Sequence, residues 1–435
     1  MILVDVQIAA RNLLNHTRRN LFLAGAIAVV TAILVTLGGF TEGIRSSMLE
    51  SATALMTGHV NVGGFFKITS SVGAPVVSDY PQVLAETRRL VPELDYATAR
   101  ERGYAKAVSE RSSMNLVLAG IDITQEPGLQ RNLRIKEGDL ADLAKPGTIL
   151  LFEDQAKRLE VTVGDSITLS APTARGVNNT ADLRVVAVAK NLGILSAFTA
   201  FLPSDAVRAL YRQSPSATGA IHLHLKDPSR ARQVAARLRD GLARAGWRVM
   251  DAESDVWWMK LMKRVNAEDW TGQKLDMTTW EDELSFLNWI LSAIGAISGA
   301  LMFVLLAIIV VGILNSLAIA IRERTREIGT LRAIGMQRTK VLWLFLLEAM
   351  MLGVVGALAG ALVGVGVATW VNALHLAVPE SMQMFLMQRN LTLAMDARGV
   401  AGRALFIAAV TTLAALAPAF GAARLRPITA IHHIG

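Results

Sequence analysis

The residues that could do chemistry in this chain are few and widely separated. Cysteine is absent, which excludes thiol catalysis, disulfides and cysteine-ligated metal centres. His222 and His224 stand two residues apart, so on a β-strand they would share one face and could form half of a metal site. No carboxylate or third histidine has a matching spacing, and the pattern favours a solvated strand face. A G-x-S-x-G motif is also absent. We therefore predict no catalytic, cofactor-binding or metal-binding residue on this chain.

Glu348 is the one charged residue within the apolar run 341–372. An acid at that depth in a membrane helix is unfavourable unless it has a partner or water. Two roles fit this position: proton coupling, or a structural pair with an arginine on the cytoplasmic side. The second role is the commoner outcome, so we expect Glu348 to be structural.

The segment 322–340 combines many charges with a short apolar pattern. Ile328, Leu331 and Ile334 recur at every third position, and Gly335 follows as a helix C-cap. A helix this short is marginal in water. Its apolar side therefore needs a partner surface, which is either the bilayer or another protein.

The composition predicts the elements that must position these residues. Of the 435 residues, 52% are hydrophobic and 18% are charged, whereas soluble domains have roughly 45–50% and about 25%. The difference indicates a few membrane helices combined with one large water-exposed domain. Apolar runs predict four transmembrane helices at 21–40, within 284–321, at 341–372 and at 404–423. The second run exceeds one crossing and predicts a stalk that continues outside the bilayer.

Basic residues indicate which side of the membrane each connection occupies. Lys and Arg flank the membrane runs within 1–20, 322–340 and 424–435, so these three segments are predicted to be cytoplasmic. Residues 41–283 and the shorter loop 373–403 then lie outside. Because the basic residues collect at membrane edges, the net charge of +8 does not indicate a nucleic-acid partner.

Residues 41–283 are predicted to form a large extracytoplasmic α+β domain between the first two membrane helices. A hairpin is expected from strands at 105–108 and 114–121. The last part, 253–283, mixes tryptophan with basic residues, which is typical of a membrane interface. We interpret it as an interface anchor, the favoured reading, or as a lipid-facing lip for substrate. The lip residues would be Trp257, Trp258, Trp270 and Trp280.

Three glycines spaced by four residues share one face of the third predicted membrane helix: Gly356, Gly360 and Gly364. Small residues at this spacing let two helices approach closely. The partner is either another helix of the same subunit, which is favoured, or a second subunit.

Several stretches resemble one family along nearly the whole chain. The loop from Arg322 to Gly335, with Asn315 upstream, closely resembles the signature of the FtsX-like permeases, the MacB/LolC/LolE type of ABC transporter. Shorter similarities are Ala10-Arg-Asn-Leu13 before Arg18-Arg19, Gly147-Thr-Ile-Leu-Leu, Thr279-Trp280, and Pro418 followed by residues 422–427. The four predicted membrane helices with one large outer loop agree with this family.

The resemblance implies a role for each part of the chain. Residues 1–20 would form a cytoplasmic amphipathic elbow helix, and the outer domain would be a MacB-like periplasmic core. The segment 322–340 would be a coupling helix that docks on a cytoplasmic ATPase dimer. Its contact residues would be Arg322, Arg324, Arg326, Glu327, Ile328, Leu331, Arg332 and Ile334.

The expected function is that of a permease subunit in a type VII, mechanotransmitting ABC transporter of the bacterial inner membrane. The sequence has no G-x-x-x-x-G-K-[ST] motif, so ATP and Mg²⁺ are expected on the partner ATPase, and this chain is not expected to be an enzyme. A second permease subunit, membrane lipid and a periplasmic carrier or fusion protein are the other expected partners. The expected cargo is a lipoprotein or another amphiphile. MacB-like efflux of drugs or peptides and FtsX-like signalling to cell-wall hydrolases remain alternatives.

Overall fold

The computed structural model describes residues 7–9, 11–13, 17–70, 72–173, 176–379, 382–383 and 390–424. The chain divides into two compact units. The helical unit comprises residues 1–46, 291–378 and 389–435, and the α/β unit comprises residues 47–290 and 379–388. Parts of the expected elbow helix 1–20 and of the loop 373–403, and the tail after Arg424, lie outside the described residues.

The helices and strands follow one another along the chain with short connections. The helices are α1 (Thr17–Leu55), α2 (Tyr80–Leu90), α3 (Pro127–Asn132), α4 (Glu153–Leu159), α5 (Ser204–Tyr211), α6 (Ala231–Arg244), α7 (Trp257–Lys260), α8 (Trp280–Glu283), α9 (Asn288–Glu323), α10 (Thr325–Ala333), α11 (Arg338–Ala373), α12 (Ala397–Ala414) and α13 (Leu416–Ala423). The strands are β1 (Val60–Lys67), β2 (Gly73–Ala74), β3 (Leu94–Val108), β4 (Ser113–Ile121), β5 (Ile135–Gly138), β6 (Thr148–Phe152), β7 (Ser166–Pro172), β8 (Asn178–Ala189), β9 (Thr199–Pro203), β10 (Ala220–Leu225) and β11 (Gly272–Thr279).

Four stretches of helix in the described chain are long and apolar enough to cross a membrane: α1, α9, α11, and α12 together with α13. Helices α1, α11 and α12 with α13 contain the predicted runs 21–40, 341–372 and 404–423, while α9 begins at Asn288, inside the run 284–321. Helix α1 continues well past residue 40. Pro418 explains the break between α12 and α13, because it has no N–H to donate to the carbonyl of Ala414. The core of the helical unit includes Ile27, Val35, Phe345 and Ile407.

The α/β unit is built on one large mixed sheet. Its strand order is β11-β1-β10-β3-β4-β9-β6-β8-β5, with β2 paired to β1 and β7 paired to both β3 and β8. The β4–β9 and β6–β8 pairs are parallel, and the other pairs are antiparallel. The expected hairpin is the β3–β4 pair. The four membrane-length helices, with a large α/β domain between the first and second, confirm the predicted fold class.

Alternation along the strands at the β11–β1–β10–β3 end divides this part of the sheet into two faces. One face carries apolar residues such as Val62, Ile221 and Met277, and helix α6 packs on β1 and β11. The other face is polar although it is buried. Its residues include Asn61, Thr98, Arg100, His222, His224 and Asp276.

Candidate functional site

Helix α10 is the centre of the expected coupling segment, and both of its ends are well defined. Arg324 is its N-cap, and the backbone N–H of Ile328 donates to the carbonyl of Arg324 over 2.9 Å. Ile334 is the C-cap, and the next residue, Gly335, has φ of +108°. This left-handed conformation favours glycine, which is why a helix ends here.

The expected apolar stripe does not form a single face of α10. Ile328 is buried in the core of the helical unit, whereas Ile334 is 80% exposed. The reason is geometric, since six residues at 100° each separate the two side chains by about 120° around the helix. The side chain of Leu331 lies outside the described part of the structure.

The charged residues of the coupling segment also separate into two groups. Arg322, Arg326 and Glu327 are exposed. Arg324 is buried, and the half-buried Arg332 donates from Nη1 to the carbonyl of Ala423 at 3.1 Å. The structure therefore corrects the expectation that all eight side chains are available to a partner. Arg324 and Ile328 face inwards, while Arg322, Arg326, Glu327 and Ile334 form the exposed set.

Glu348 is held by partners from two other segments of the helical unit. Its Oε1 accepts from Arg324 Nη1 at 3.0 Å and from Asn12 Nδ2 at 2.6 Å. Arg324 Nη2 also donates to the carbonyl of Asn12 at 3.4 Å. Both side chains of the ion pair are only 10% exposed. This Asn12–Arg324–Glu348 cluster supports the structural role expected for Glu348. Asn12 lies in the Ala10-Arg-Asn-Leu13 stretch that resembles the family, but the sequence did not indicate that it binds Glu348.

The glycine face of α11 packs against α1 of the same chain. A Cβ atom added at Gly360 would lie 2.3 Å from the carbonyl oxygen of Ala28, and one at Gly356 would lie 2.9 Å from Ile27 Cβ. A Cβ at Gly364 would lie 2.9 Å from Val35 Cβ. The close approach of the two helices therefore requires glycine. The partner is a helix of the same subunit, which was the favoured alternative.

The tryptophan-rich segment was predicted to be an interface anchor or, as the alternative, a lipid-facing lip, but most of its tryptophans are buried. Trp257, Trp270 and Trp280 are buried within the α/β unit, with exposures of 8%, 7% and 7%. Trp258 is half-buried and contacts Phe286 with ring centroids 5.2 Å apart. Beside them, Met262 and Trp289 are 66% and 62% exposed. The rings are buried because they pack against the sheet. Tryptophan is amphipathic, so it occurs in protein cores as well as at membrane interfaces.

Buried cations support this aromatic layer. Lys67 donates from Nζ to the carbonyls of Val265 and Glu268, at 2.7 and 2.6 Å, and its Nζ lies 5.1 Å from the centre of the Trp270 ring. Lys260 pairs with Asp276 at 2.9 Å. Burial raises the pKa of the Asp276 carboxyl, and Lys260 opposes that shift. These contacts attach residues 257–279 to the sheet and stabilise them there.

His222 and His224 lie in the middle of the sheet, not on a solvated strand face. Both are buried on β10, and Tyr96 stacks on His224 with ring centroids 4.2 Å apart. Burial, together with the nearby Arg100, lowers the pKa of His224 to about 3, and it lowers the pKa of His222 well below 6.5. Among the described residues, no three His, Asp or Glu side chains come together as a metal site.

Comparisons with known proteins agree with both units. Residues 21–240 match the model of the MacB-like periplasmic core domain, and residues 299–427 match that of the FtsX-like permease C-terminal region. The macrolide export ATP-binding/permease protein MacB of Nitrobacter winogradskyi is 37% identical over 35% of this chain and 20% of that protein. The ABC transporter permease YvrN of Bacillus subtilis is 29% identical over 28% of this chain and 26% of that protein.

A third relative is the pyoverdine export ATP-binding/permease protein PvdT of Pseudomonas savastanoi pv. phaseolicola. It is 35% identical over 28% of this chain and 16% of its own length. Each match thus spans about a quarter or less of the relative. The periplasmic core model alone covers about half of the 435 residues. The chain therefore belongs to the FtsX-like permeases that carry a MacB-like periplasmic core domain.

Proposed function

We propose that this chain is the permease subunit of an ATP-driven, mechanotransmitting ABC transporter of the bacterial inner membrane. The observation that carries the proposal is the two-sided environment of α10. Its inner side is attached to the membrane helices by Arg324, Ile328 and Arg332. Its outer side exposes charged and apolar groups together.

The exposed side of α10 suits a protein partner better than water alone. Ile334 is 80% exposed about two turns along α10 from the exposed charged residues Arg326 and Glu327. Protein interfaces combine an apolar centre with a polar rim. An exposed isoleucine with charges of both signs on the same helix fits this pattern. We assign this surface to a cytoplasmic ATPase that binds ATP and Mg²⁺. Two permease subunits, identical or homologous, would form the complex with an ATPase dimer.

The attachment of α10 suits force transmission. A displacement of α10 would act on α11 through Glu348 and on the N-terminal segment through Asn12, since one carboxylate oxygen binds both partners. Buried hydrogen-bonded groups move together because separating them leaves an unpaired charge. The helices would then carry the movement to the periplasmic domain.

We propose an amphiphile, such as a lipoprotein, as cargo taken from the outer leaflet. The support is Met262, which is 66% exposed and precedes the exposed Lys263 in the chain, together with the half-buried Trp258. Trp257, Trp270 and Trp280 would support this surface from within the domain. A periplasmic carrier or fusion protein would receive the cargo.

Export of a soluble compound is the second candidate. The names of two relatives, for macrolide export and for pyoverdine export, favour it as much as the apolar surface favours an amphiphile. Radiolabelled erythromycin and a fluorescent lipopeptide, offered to the same membrane vesicles, separate the two candidates. Transport of erythromycin alone would replace the amphiphile proposal.

The coupling surface can be tested by charge reversal. Arg326→Glu together with Ile334→Asp should abolish binding of the ATPase that co-purifies with the wild-type chain from its native membranes, and should remove vanadate-sensitive ATP hydrolysis. The matched control is Arg398→Glu, which reverses an exposed arginine at the start of α12. Unchanged hydrolysis in the first variant would contradict the assignment of α10.

The cysteine-free sequence makes the orientation testable as well. Arg326→Cys should react with a membrane-impermeant maleimide only after the inner membrane is opened. Asp205→Cys, at a side chain that is 93% exposed, should react in intact spheroplasts. The reverse pattern would overturn the proposed topology.

A further inference from the structure

Arg100 is a fully buried arginine on β3, in the polar face of the sheet. It is 2% exposed. Its Nε and Nη2 donate to Oε1 and Oε2 of Glu126, each at 2.7 Å, and the Glu126 side chain is only 3% exposed. This bidentate geometry fixes the plane of the guanidinium group.

The same guanidinium also binds the end of α1. Its Nη1 donates over 2.8 Å to the carbonyl of Leu55, the last residue of that helix. The last carbonyls of a helix lack intrahelical partners and carry the negative end of the helix dipole, so a cation there is doubly favourable. Beyond Leu55, the amides of Met56 and Thr57 still bond the carbonyl of Ala52, at 2.8 and 3.0 Å.

We propose that Arg100 is a positioning residue that ties the last turn of α1 to the sheet, so that a movement of α1 is passed directly to β3. The inference rests on the proposed function, since it names the contact through which the moving helix acts on the periplasmic domain. Glu126 holds the guanidinium in place, and Arg100 makes the contact with the helix.

A merely stabilising ion pair would behave differently from such a tether. Replacing both partners of a buried pair by apolar residues of similar size is often neutral for stability. The double variant Arg100→Met with Glu126→Met therefore removes the donor to Leu55 without leaving a buried charge. The matched control is Arg208→Met with Glu101→Met, which removes another largely buried pair that joins β3 to α5 instead of to α1.

Two measurements on the purified full-length chain in nanodiscs test the tether itself. In the first double variant, exchange of the Met56 and Thr57 amides should accelerate about tenfold. The distance distribution between spin labels at positions 50 and 111, both exposed, should broaden. The melting temperature should stay close to that of the wild type. The control variant should change neither readout, and unchanged exchange in the first variant would overturn the proposal.

A third measurement includes the ATPase and separates this inference from the proposed function. In the wild-type complex the label distance should change during ATP turnover, and in the Arg100→Met, Glu126→Met variant the change should be lost while ATP hydrolysis persists. If the distance between the labels in the wild-type complex does not change during ATP turnover, the proposed function is contradicted. A wild-type response in the variant would contradict the role of Arg100 alone.

Discussion

Each of the two units contains a buried arginine–glutamate pair that holds a helix in place, and the surroundings of the two pairs differ. Arg100 and Glu126 lie inside the α/β unit with side-chain exposures of 2% and 3%, and they make two parallel hydrogen bonds of 2.7 Å. Arg324 and Glu348 lie among membrane helices with exposures of 10% each and are joined by a contact of 3.0 Å that Asn12 supplements. Arg100 binds the last carbonyl of α1, whereas Arg324, the N-cap of α10, is joined to the interior of α11.

The environments predict different energies for the two pairs. In a water-soluble domain, the charge left alone in the core would be fully hydrated in the unfolded state. Removing its partner therefore lowers the free energy of unfolding by about 3–5 kcal/mol. In the helical unit, Asn12 would still donate to Glu348 after the loss of Arg324, and hydrogen bonds between membrane helices average about 0.6 kcal/mol with a maximum near 1.7. The comparison therefore predicts that the pair in the α/β unit is the more important for stability.

The largest expected effect follows from that difference. Arg100→Ala should destabilise the chain by about 3–5 kcal/mol because Glu126 is left buried and unpaired. Arg324→Ala should lower stability by only about 1–2 kcal/mol. Thermal unfolding of the two full-length variants in the same detergent measures both, and a larger loss for Arg324→Ala would reverse the comparison.

A second test measures how much the close packing of α1 and α11 contributes to the stability of the helical unit. Gly360→Ala should cost about 1–3 kcal/mol, since the new Cβ would meet the Ala28 carbonyl at 2.3 Å. Gly366→Ala is the control, because no atom lies within 4 Å of its Cβ position. Alanine there should stabilise the helix slightly. Equal melting temperatures for the two variants would exclude the close packing of α1 and α11.

The third test concerns the two histidines beside Arg100. Their pKa values are lowered by burial, His224 to about 3, so the folded chain binds fewer protons than the unfolded chain below about pH 6.5. Stability is therefore complete above pH 6.5 and falls as the pH drops, by about 1.4 kcal/mol per pH unit for each histidine.

His224→Phe should retain the stacking on Tyr96 and remove one of three histidine contributions, since burial also lowers the pKa of His59. Melting temperatures measured from pH 7.5 to pH 5 should then fall less steeply than in the wild type. A slope equal to that of the wild type would show that the acid sensitivity arises elsewhere.

The smallest expected effect is that of an exposed pair. Arg19 and Glu323 form an ion pair at 2.6 Å in the helical unit, with side-chain exposures of 25% and 50%. Water screens such pairs, so Arg19→Ala should lower stability by less than about 1 kcal/mol. A loss as large as that of Arg324→Ala would show that exposure does not distinguish these contacts.

The comparison also explains what could be predicted from the sequence. Glu348 was noticeable because it interrupts an apolar run, and its pairing with an arginine followed from the energetic penalty of a lone charge in a membrane. The membrane-length helices followed from the length of the apolar runs. The glycine face followed from the four-residue spacing of small residues. Long regular patterns constrain the possible structures strongly.

The α/β unit offered fewer such constraints. Arg100 lies in a strand with several other charged residues, so no local pattern distinguishes it from an exposed arginine. Burial of His222, His224 and three tryptophans depends on what covers the sheet, and those contacts come from distant parts of the chain. The split of α10 into two faces was missed because a three-residue spacing was read as one stripe, although the helix turns 100° per residue.

The exposed side of α10 is expected to bind an ATPase, and a cross-link between the two proteins would show this contact. With Arg326→Cys as the one cysteine of the chain, a short bismaleimide should join the permease to a P-loop ATPase in native membranes, and Arg398→Cys should give no such product. A cross-link from position 398 with none from position 326 would contradict the account.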